Sequence, residues 1–208
     1  YAEIMKKGFE RDSSIGNTLV DMYSKQGAIK EAQEIFDKLL VRDVVSWTAL
    51  ITGYALLGES EHVFYTVDRM IETGTKPDHI TLMSVLNACS QVGLVEKGQL
   101  YMETFSTDYG LSPTIEHYNC IIDLLCRAGH IDKAIGMTKK MPFQPGIVVW
   151  HTILGACRKW GNIELGRFAF ERAIQLDEQD VFVYICMCNI YVDASMEEQA
   201  KEVEAMRV

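Results

Sequence analysis

Apolar positions return along the chain with the 3.6-residue period of helices, most clearly between Val44 and Asp78. Trp47, Leu50, Ile51, Tyr54 and Ala55 fall on one helical face at i, i+3, i+4, i+7 and i+8. Gly58 then supplies a residue that tolerates a left-handed turn. Val63, Val67, Met70 and Ile71 repeat the period in a second helix. Gly74 and Lys76-Pro77-Asp78 end it, because proline has no N–H to donate and biases the residue before it away from helix. The 35-residue unit is a helical hairpin. Alone it would leave an apolar stripe of each helix in water, so it requires neighbours of its own kind.

The neighbours are present. The turn residue recurs at Gly27, Gly58, Gly93, Gly129 and Gly161, with Ser195 in the sixth place, at spacings of 31, 35, 36, 32 and 34 residues. Five residues after each turn stands a small or light residue: Ala32, Val63, Gly98, Ala134, Gly166 and Ala200. Four residues before each turn stands a core-filling one: Tyr23, Tyr54, Cys89, Leu125, Cys157 and Tyr191. Three columns in phase over six units predict an all-α, right-handed superhelical solenoid of helix-turn-helix repeats, with one continuous core and no interior boundary.

In chain order, residues 1–12 read as the second helix of a truncated hairpin ended by Gly8. Hairpins follow at 13–43, 44–78, 79–114, 115–146 and 147–180, and a last one opens at 181–208. The first residue is not methionine and the last hairpin is incomplete, so the sequence reads as a piece of a longer protein with any targeting segment outside it.

Composition refines this. Hydrophobic residues make up 48% of the chain, ample for a core, and no apolar run is long enough to span a membrane. The six cysteines sit at helix positions without Cys-x-x-Cys spacing and read as reduced, small hydrophobes; Cys186 and Cys188 point to different sides of a helix. Trp47, Tyr54, Phe64, Trp150 and Trp160 read as core or near-core rather than as a stacking platform. Net charge is −9, which by itself argues against a nucleic-acid partner. Eight acids against Lys201 and Arg207 place −6 of that charge after Leu176, so the rest of the chain is nearly balanced.

The motifs themselves resemble a known family. NTLVDMYSKQGAIKEAQEIFDKL (Asn17–Leu39), DVVSWTALITGYALLGE (Asp43–Glu59) and ITLMSVLNACSQVGLVEKG (Ile80–Gly98) are similar to plant pentatricopeptide repeats, in the PLS subclass where short, standard and long repeats alternate. HYNCIIDLLCRAGHIDKA (His117–Ala134) and KMPFQP (Lys140–Pro145) resemble that subclass's last short repeat. VVWHTILGACRKWGNIELGRFAFERAIQLD (Val148–Asp177) and NIYVDASMEEQAKEV (Asn189–Val203) resemble the two E-type motifs that follow it. The departures are Gly146 where an acid or amide is usual, a missing proline near Asp177–Asp180, and Ser195 in the turn column.

The resemblance implies single-stranded RNA recognition, one repeat per base, selecting cytidines for conversion to uridine in mitochondrial or chloroplast transcripts. It implies base contacts by Asn17 with Asp43, Thr48 with Asp78, and Asn119 with Gly146, and a base held between Val45 and Ile80. Met83 with Thr114 belongs to a long repeat and leaves its base open. Amide, hydroxyl and carboxylate groups at such positions suit a Watson–Crick edge. The same residue types also cap helices and turns, and Val45 and Ile80 would serve equally in packing between hairpins. By the family's pairing, Asn17/Asp43 resembles a uridine reader, Thr48/Asp78 a guanosine reader and Asn119 a pyrimidine reader. The expected target is 5′-U-G-N-Y-N-N-N-C.

Catalytic signatures are absent from the sequence. A zinc deaminase needs a His-x-Glu and a Pro-Cys-x-x-Cys; none of His62, His79, His117, His130 and His151 has Glu two residues on, and no proline precedes a cysteine. The histidines read as surface or capping residues, and Lys139-Lys140 and Arg158-Lys159 as solvated pairs or phosphate contacts. The expectation is a non-catalytic chain without cofactor or metal, whose E-type motifs connect to a DYW-type deaminase in cis or in trans, with accessory organellar editing factors as further partners. The rival reading is a protein-binding scaffold like tetratricopeptide repeats, whose acidic end suits a basic partner.

Overall fold

A computed structural model describes residues 13–207. The helix expected over residues 1–12 lies outside the described residues. The chain divides into two compact units between Pro113 and Thr114. The first holds α1 (Ser13–Lys25), α2 (Ile29–Lys38), α3 (Val44–Leu56), α4 (Ser60–Glu72), α5 (His79–Val92) and α6 (Val95–Tyr109). The second holds α7 (Ile115–Arg127), α8 (Ile131–Lys140), α9 (Ile147–Trp160), α10 (Ile163–Ile174), α11 (Val181–Asp193) and α12 (Glu197–Met206). The described residues contain no strand, and no helix is long and apolar enough to cross a membrane.

The architecture is the all-α solenoid of antiparallel helix-turn-helix hairpins. In the first unit α3 packs between α1 and α5, and in the second α9 packs between α7 and α11, so the first helices of the hairpins form a row. Within each unit a second helix lies on its own partner and, where another hairpin of that unit follows, on that hairpin's first helix: α2 on α3, α4 on α5, α8 on α9, α10 on α11. Residue character dictates this. Trp47, Ala49, Leu50, Ile51, Gly53, Tyr54 and Ala55 bury nearly every side of α3, as a helix enclosed by four others must. On α4 only one stripe, Val63, Phe64, Val67 and Met70, is buried. Leu50 and Ile51 are fully enclosed, each contributing about 1.5–3 kcal/mol by leaving water.

The interior boundary departs from the single uninterrupted core expected from the repeat pattern. Gly110, at φ 67°, closes α6, and Pro113 denies the following segment a helical N–H, so residues 111–114 run without secondary structure.

The hairpin turns share one bond, which explains the column four residues before each of them. The carbonyls of Tyr23, Tyr54, Cys89, Leu125, Cys157 and Tyr191 accept from the N–H five residues ahead, at 2.8–3.0 Å. That bond needs a left-handed residue between, and Gly129 (φ 81°) and Ser195 (φ 59°) occupy the same conformation. Ser195 is the one non-glycine with positive φ among the described residues. The light column five residues after the turn is buried throughout. At Gly166 a Cβ would meet Ile190 Cδ1 at 3.1 Å, so the helices approach closely there. Trp160 differs from its core expectation. It is 49% exposed at the end of α9, where its ring covers Gly129 and its indole N–H donates to the Cys126 carbonyl at 2.9 Å.

Candidate nucleic-acid interface

The helix boundaries set the register of the site. Asn17, Thr48, Met83, Asn119, His151 and Ile185 are each the fifth residue of the first helix in a hairpin. Ser14, Val45, Ile80, Glu116, Val148 and Phe182 are each the second. Second and fifth residues stand one turn apart on the same helical face. Four of the second residues are apolar and open to solvent, Val45 at 53%, Ile80 at 56%, Val148 at 60% and Phe182 at 48% exposure. An apolar side chain held outside the core at one repeated position is a surface available to a flat ring.

Asn17 and Asp43 are brought together. The Asn17 amide Nδ2 donates to both Asp43 carboxylate oxygens at 3.0 Å. Asp43 is also the N-cap of α3, its Oδ1 accepting from Ser46 N–H at 3.0 Å. Burial raises the pKa of this carboxyl, but the hydrogen bonds from Ser46 N–H, Asn17 and Val45 N–H together outweigh it and hold the group below its ordinary value. Because Nδ2 must face the carboxylate, the Asn17 Oδ1 points elsewhere. It is buried without a hydrogen-bond partner.

Thr48 and Asp78 are not joined by a hydrogen bond. The Thr48 hydroxyl donates back to the Val44 carbonyl at 2.7 Å, which leaves its oxygen as an acceptor. Asp78 caps α5 through a capping box, its Oδ1 accepting from Thr81 N–H at 2.8 Å and from the Thr81 hydroxyl at 2.9 Å. In the second unit, the Asn119 Oδ1 is likewise buried and unpartnered. Its expected companion Gly146 sits at the N-cap of α9 with open space where a side chain would be.

Sequence reasoning passed over one contact of the same kind. His151 Nε2 lies 2.5 Å from Asp180 Oδ2, and Asp180 Oδ1 caps α11 by accepting from Phe182 N–H at 3.0 Å. His151 is therefore half-buried against Asp180, and the capping there is done by the aspartate. His117 does cap, paired with Thr114 at the start of α7. Arg158 pairs with Asp193 at 3.3 Å rather than standing free. Burial pushes the Cys89 thiol up to about 11 and those of Cys126 and Cys157 up to about 12, which keeps them protonated and unreactive. Cys186 and Cys188 are raised too, burial again the first cause.

Family profiles described as the PPR repeat match residues 17–44 and 109–142, and one described as the pentatricopeptide repeat domain matches residues 38–92, together more than half of the chain. The chain belongs to the pentatricopeptide repeat family. Among curated relatives it is 40% identical over 202 residues to pentatricopeptide repeat-containing protein At3g49170, chloroplastic, of Arabidopsis thaliana, an alignment covering 97% of this chain and 24% of the relative. It is 38% identical over 203 residues to At3g02330, mitochondrial, of the same plant, covering 97% and 22%. This pentatricopeptide repeat chain thus spans about a quarter of the length of these relatives. Among solved structures, PPR10 from maize superposes with a TM-score of 0.71 at 22% identity, covering 91% of this chain and 28% of that one. PPR10 in complex with an 18-nucleotide psaJ RNA element superposes at 0.60 and 21% identity, covering 91% and 27%. At these identities the likeness is one of fold.

Proposed function

We propose that this pentatricopeptide repeat chain binds single-stranded RNA base by base and selects cytidines for conversion to uridine in mitochondrial or chloroplast transcripts. The observation that carries the reading is the Asn17 Oδ1, an acceptor without a partner beside an amide fixed by Asp43. A buried polar atom left unsatisfied costs roughly 1–3 kcal/mol, and the N3–H of uracil is a donor of the kind it lacks. With its proton given to Val44, the Thr48 oxygen is an acceptor for the N1–H of guanine. Both chemistries agree with the uridine and guanosine preferences implied by the family. The exposed Val45 and Ile80 flank that second seat and would grip the base faces. Reaching the buried Asn17 oxygen requires the side chains around it to part as the base enters.

Support of a different kind comes from the relatives. A fold neighbour holds RNA, and curated relatives are chloroplastic or mitochondrial. Within this reading the repeats are those of the PLS subclass, and residues 147–208 are E-type motifs that connect to a DYW-type deaminase in cis or in trans, with accessory editing factors. The chain itself performs no chemistry.

Filter binding of a matched 5′-U-G-N-Y-N-N-N-C RNA against a shuffled one, at low and high salt, tests this. The matched RNA should be retained preferentially at both, with affinity falling as salt rises because phosphate contacts release counterions. Equal, weak retention of both RNAs would remove the reading in favour of a protein-binding scaffold, to which the acidic C-terminal segment is suited.

A further inference from the structure

His151 and Asp180 repeat, residue for residue, the arrangement of Asn17 and Asp43. In each, the fifth residue of a first helix (α1 or α9) bonds an aspartate that ends the hairpin and caps the next first helix (α3 or α11). In each, the aspartate uses one oxygen for the cap. The His151 seat also has the flanks of the Thr48 seat. Val148 on α9 and Phe182 on α11 are both about half exposed, matching Val45 on α3 and Ile80 on α5. Phe182 stands 4.6 Å from the imidazole, centroid to centroid, at a 54° tilt, so an aromatic face borders the histidine. All four residues lie within the second unit.

From this geometry we infer that the hairpin of α9 and α10 is a further nucleotide seat, in which His151 reads the base, Asp180 fixes the imidazole, and Val148 and Phe182 hold the base faces. The inference rests on the RNA-binding reading above and extends it past Gly146, into a segment otherwise assigned to protein contacts. In this seat Asp180 Oδ2 accepts from the Nε2–H of His151, the tautomer that leaves the Nδ1 lone pair as an acceptor. An acceptor there suits the exocyclic amine of adenine or cytosine. It opposes the O4 of uracil and the O6 of guanine. Stacking on Phe182 adds affinity without distinguishing the bases. Each hairpin takes one nucleotide, so this base follows the pyrimidine opposite Asn119: the fifth letter of 5′-U-G-N-Y-N.

The test uses the 208-residue chain and four RNAs that differ only at that fifth letter, alongside a second set varied at the first two letters. Wild type should favour A and C over G and U at the fifth letter by roughly five-fold, the worth of about one hydrogen bond. His151→Ala should flatten that preference and leave the first two letters discriminated as before. His151→Asn rebuilds the Asn17–Asp43 pair on Asp180 and should shift the fifth-letter preference to U, an outcome that a merely structural histidine would not produce. Discrimination at the first two letters with none at the fifth, or with a preference for G or U there, overturns this inference alone. No discrimination at any of the three letters overturns both it and the RNA-binding reading.

Discussion

Asn17 and Asp43, 26 residues apart in the chain, are bonded through the Asn17 amide to both carboxylate oxygens at 3.0 Å, and the same carboxylate starts α3. One ionised group therefore ties two neighbouring hairpins and orients the amide. Asp43→Asn keeps an oxygen for the Ser46 N–H but removes the charge. Exchanging a charge-assisted bond for a neutral one should cost about 1 kcal/mol in urea unfolding at neutral pH. The folded Asp43 carboxyl titrates below its ordinary value of 3.8, so its stabilisation is complete above that value and disappears as pH falls through the depressed one. The gap between the two proteins should accordingly close in acid. Equal stability at neutral pH would show that the pair orders the amide without holding the hairpins together.

Gly129 and Gly161 separate two costs that turn glycines usually combine. Both have positive φ, 81° and 68°. A Cβ on Gly161 meets nothing within 4 Å, whereas one on Gly129 lands 3.2–3.3 Å from the Trp160 ring. Gly161→Ala should cost about 1 kcal/mol, the left-handed penalty alone. Gly129→Val adds the strain of moving an indole that is anchored to the Cys126 carbonyl, and should cost roughly 1–3 kcal/mol more. Thermal melting of the two variants in one buffer decides it: matched melting temperatures would mean that Trp160 swings away freely.

Most of the fold was legible because the constraint repeats. A buried stripe and a left-handed turn write the same residue types at fixed offsets, and Tyr54, Cys89, Leu125 and Cys157 are buried where their column places them. Trp160 was misjudged because periodicity reports a face, and a residue at the last turn of a helix has outrun the neighbour that would cover that face. The contact between Asn17 and Asp43 was legible because a pairing rule names both members. His151 and Asp180 were missed for the opposite reason. Both stand in the same two columns as that pair, but histidine in a pairing column has no assigned meaning, and the resemblance to E-type motifs implies protein docking for that segment. The unpartnered oxygens of Asn17 and Asn119 leave no trace in sequence, since an amide's satisfaction depends on what surrounds it.

Thr48 offers the sharpest test of base readout, because its two roles make opposite demands. As a structural residue its hydroxyl ties back to the Val44 carbonyl at 2.7 Å, and any base effect of changing it would be indirect. As a reader its oxygen accepts from guanine, between Val45 and Ile80. Thr48→Asn gives up the backbone bond and presents an amide opposite Asp78, the relation that Asn17 has to Asp43. The amide should donate to Asp78 and turn its oxygen to the base, moving the preference at the second letter from G towards U. Exchanging one hydrogen-bonding pattern for another shifts discrimination by about 1–3 kcal/mol, on the scale of base contacts in DNA. Fluorescence anisotropy with RNAs differing only at that letter measures the shift directly, and the first letter, opposite Asn17, serves as the internal control. If the variant binds the G and U forms with equally reduced affinity while the first letter is still read, Thr48 is a helix-stabilising residue and the second hairpin does not read its base through this position.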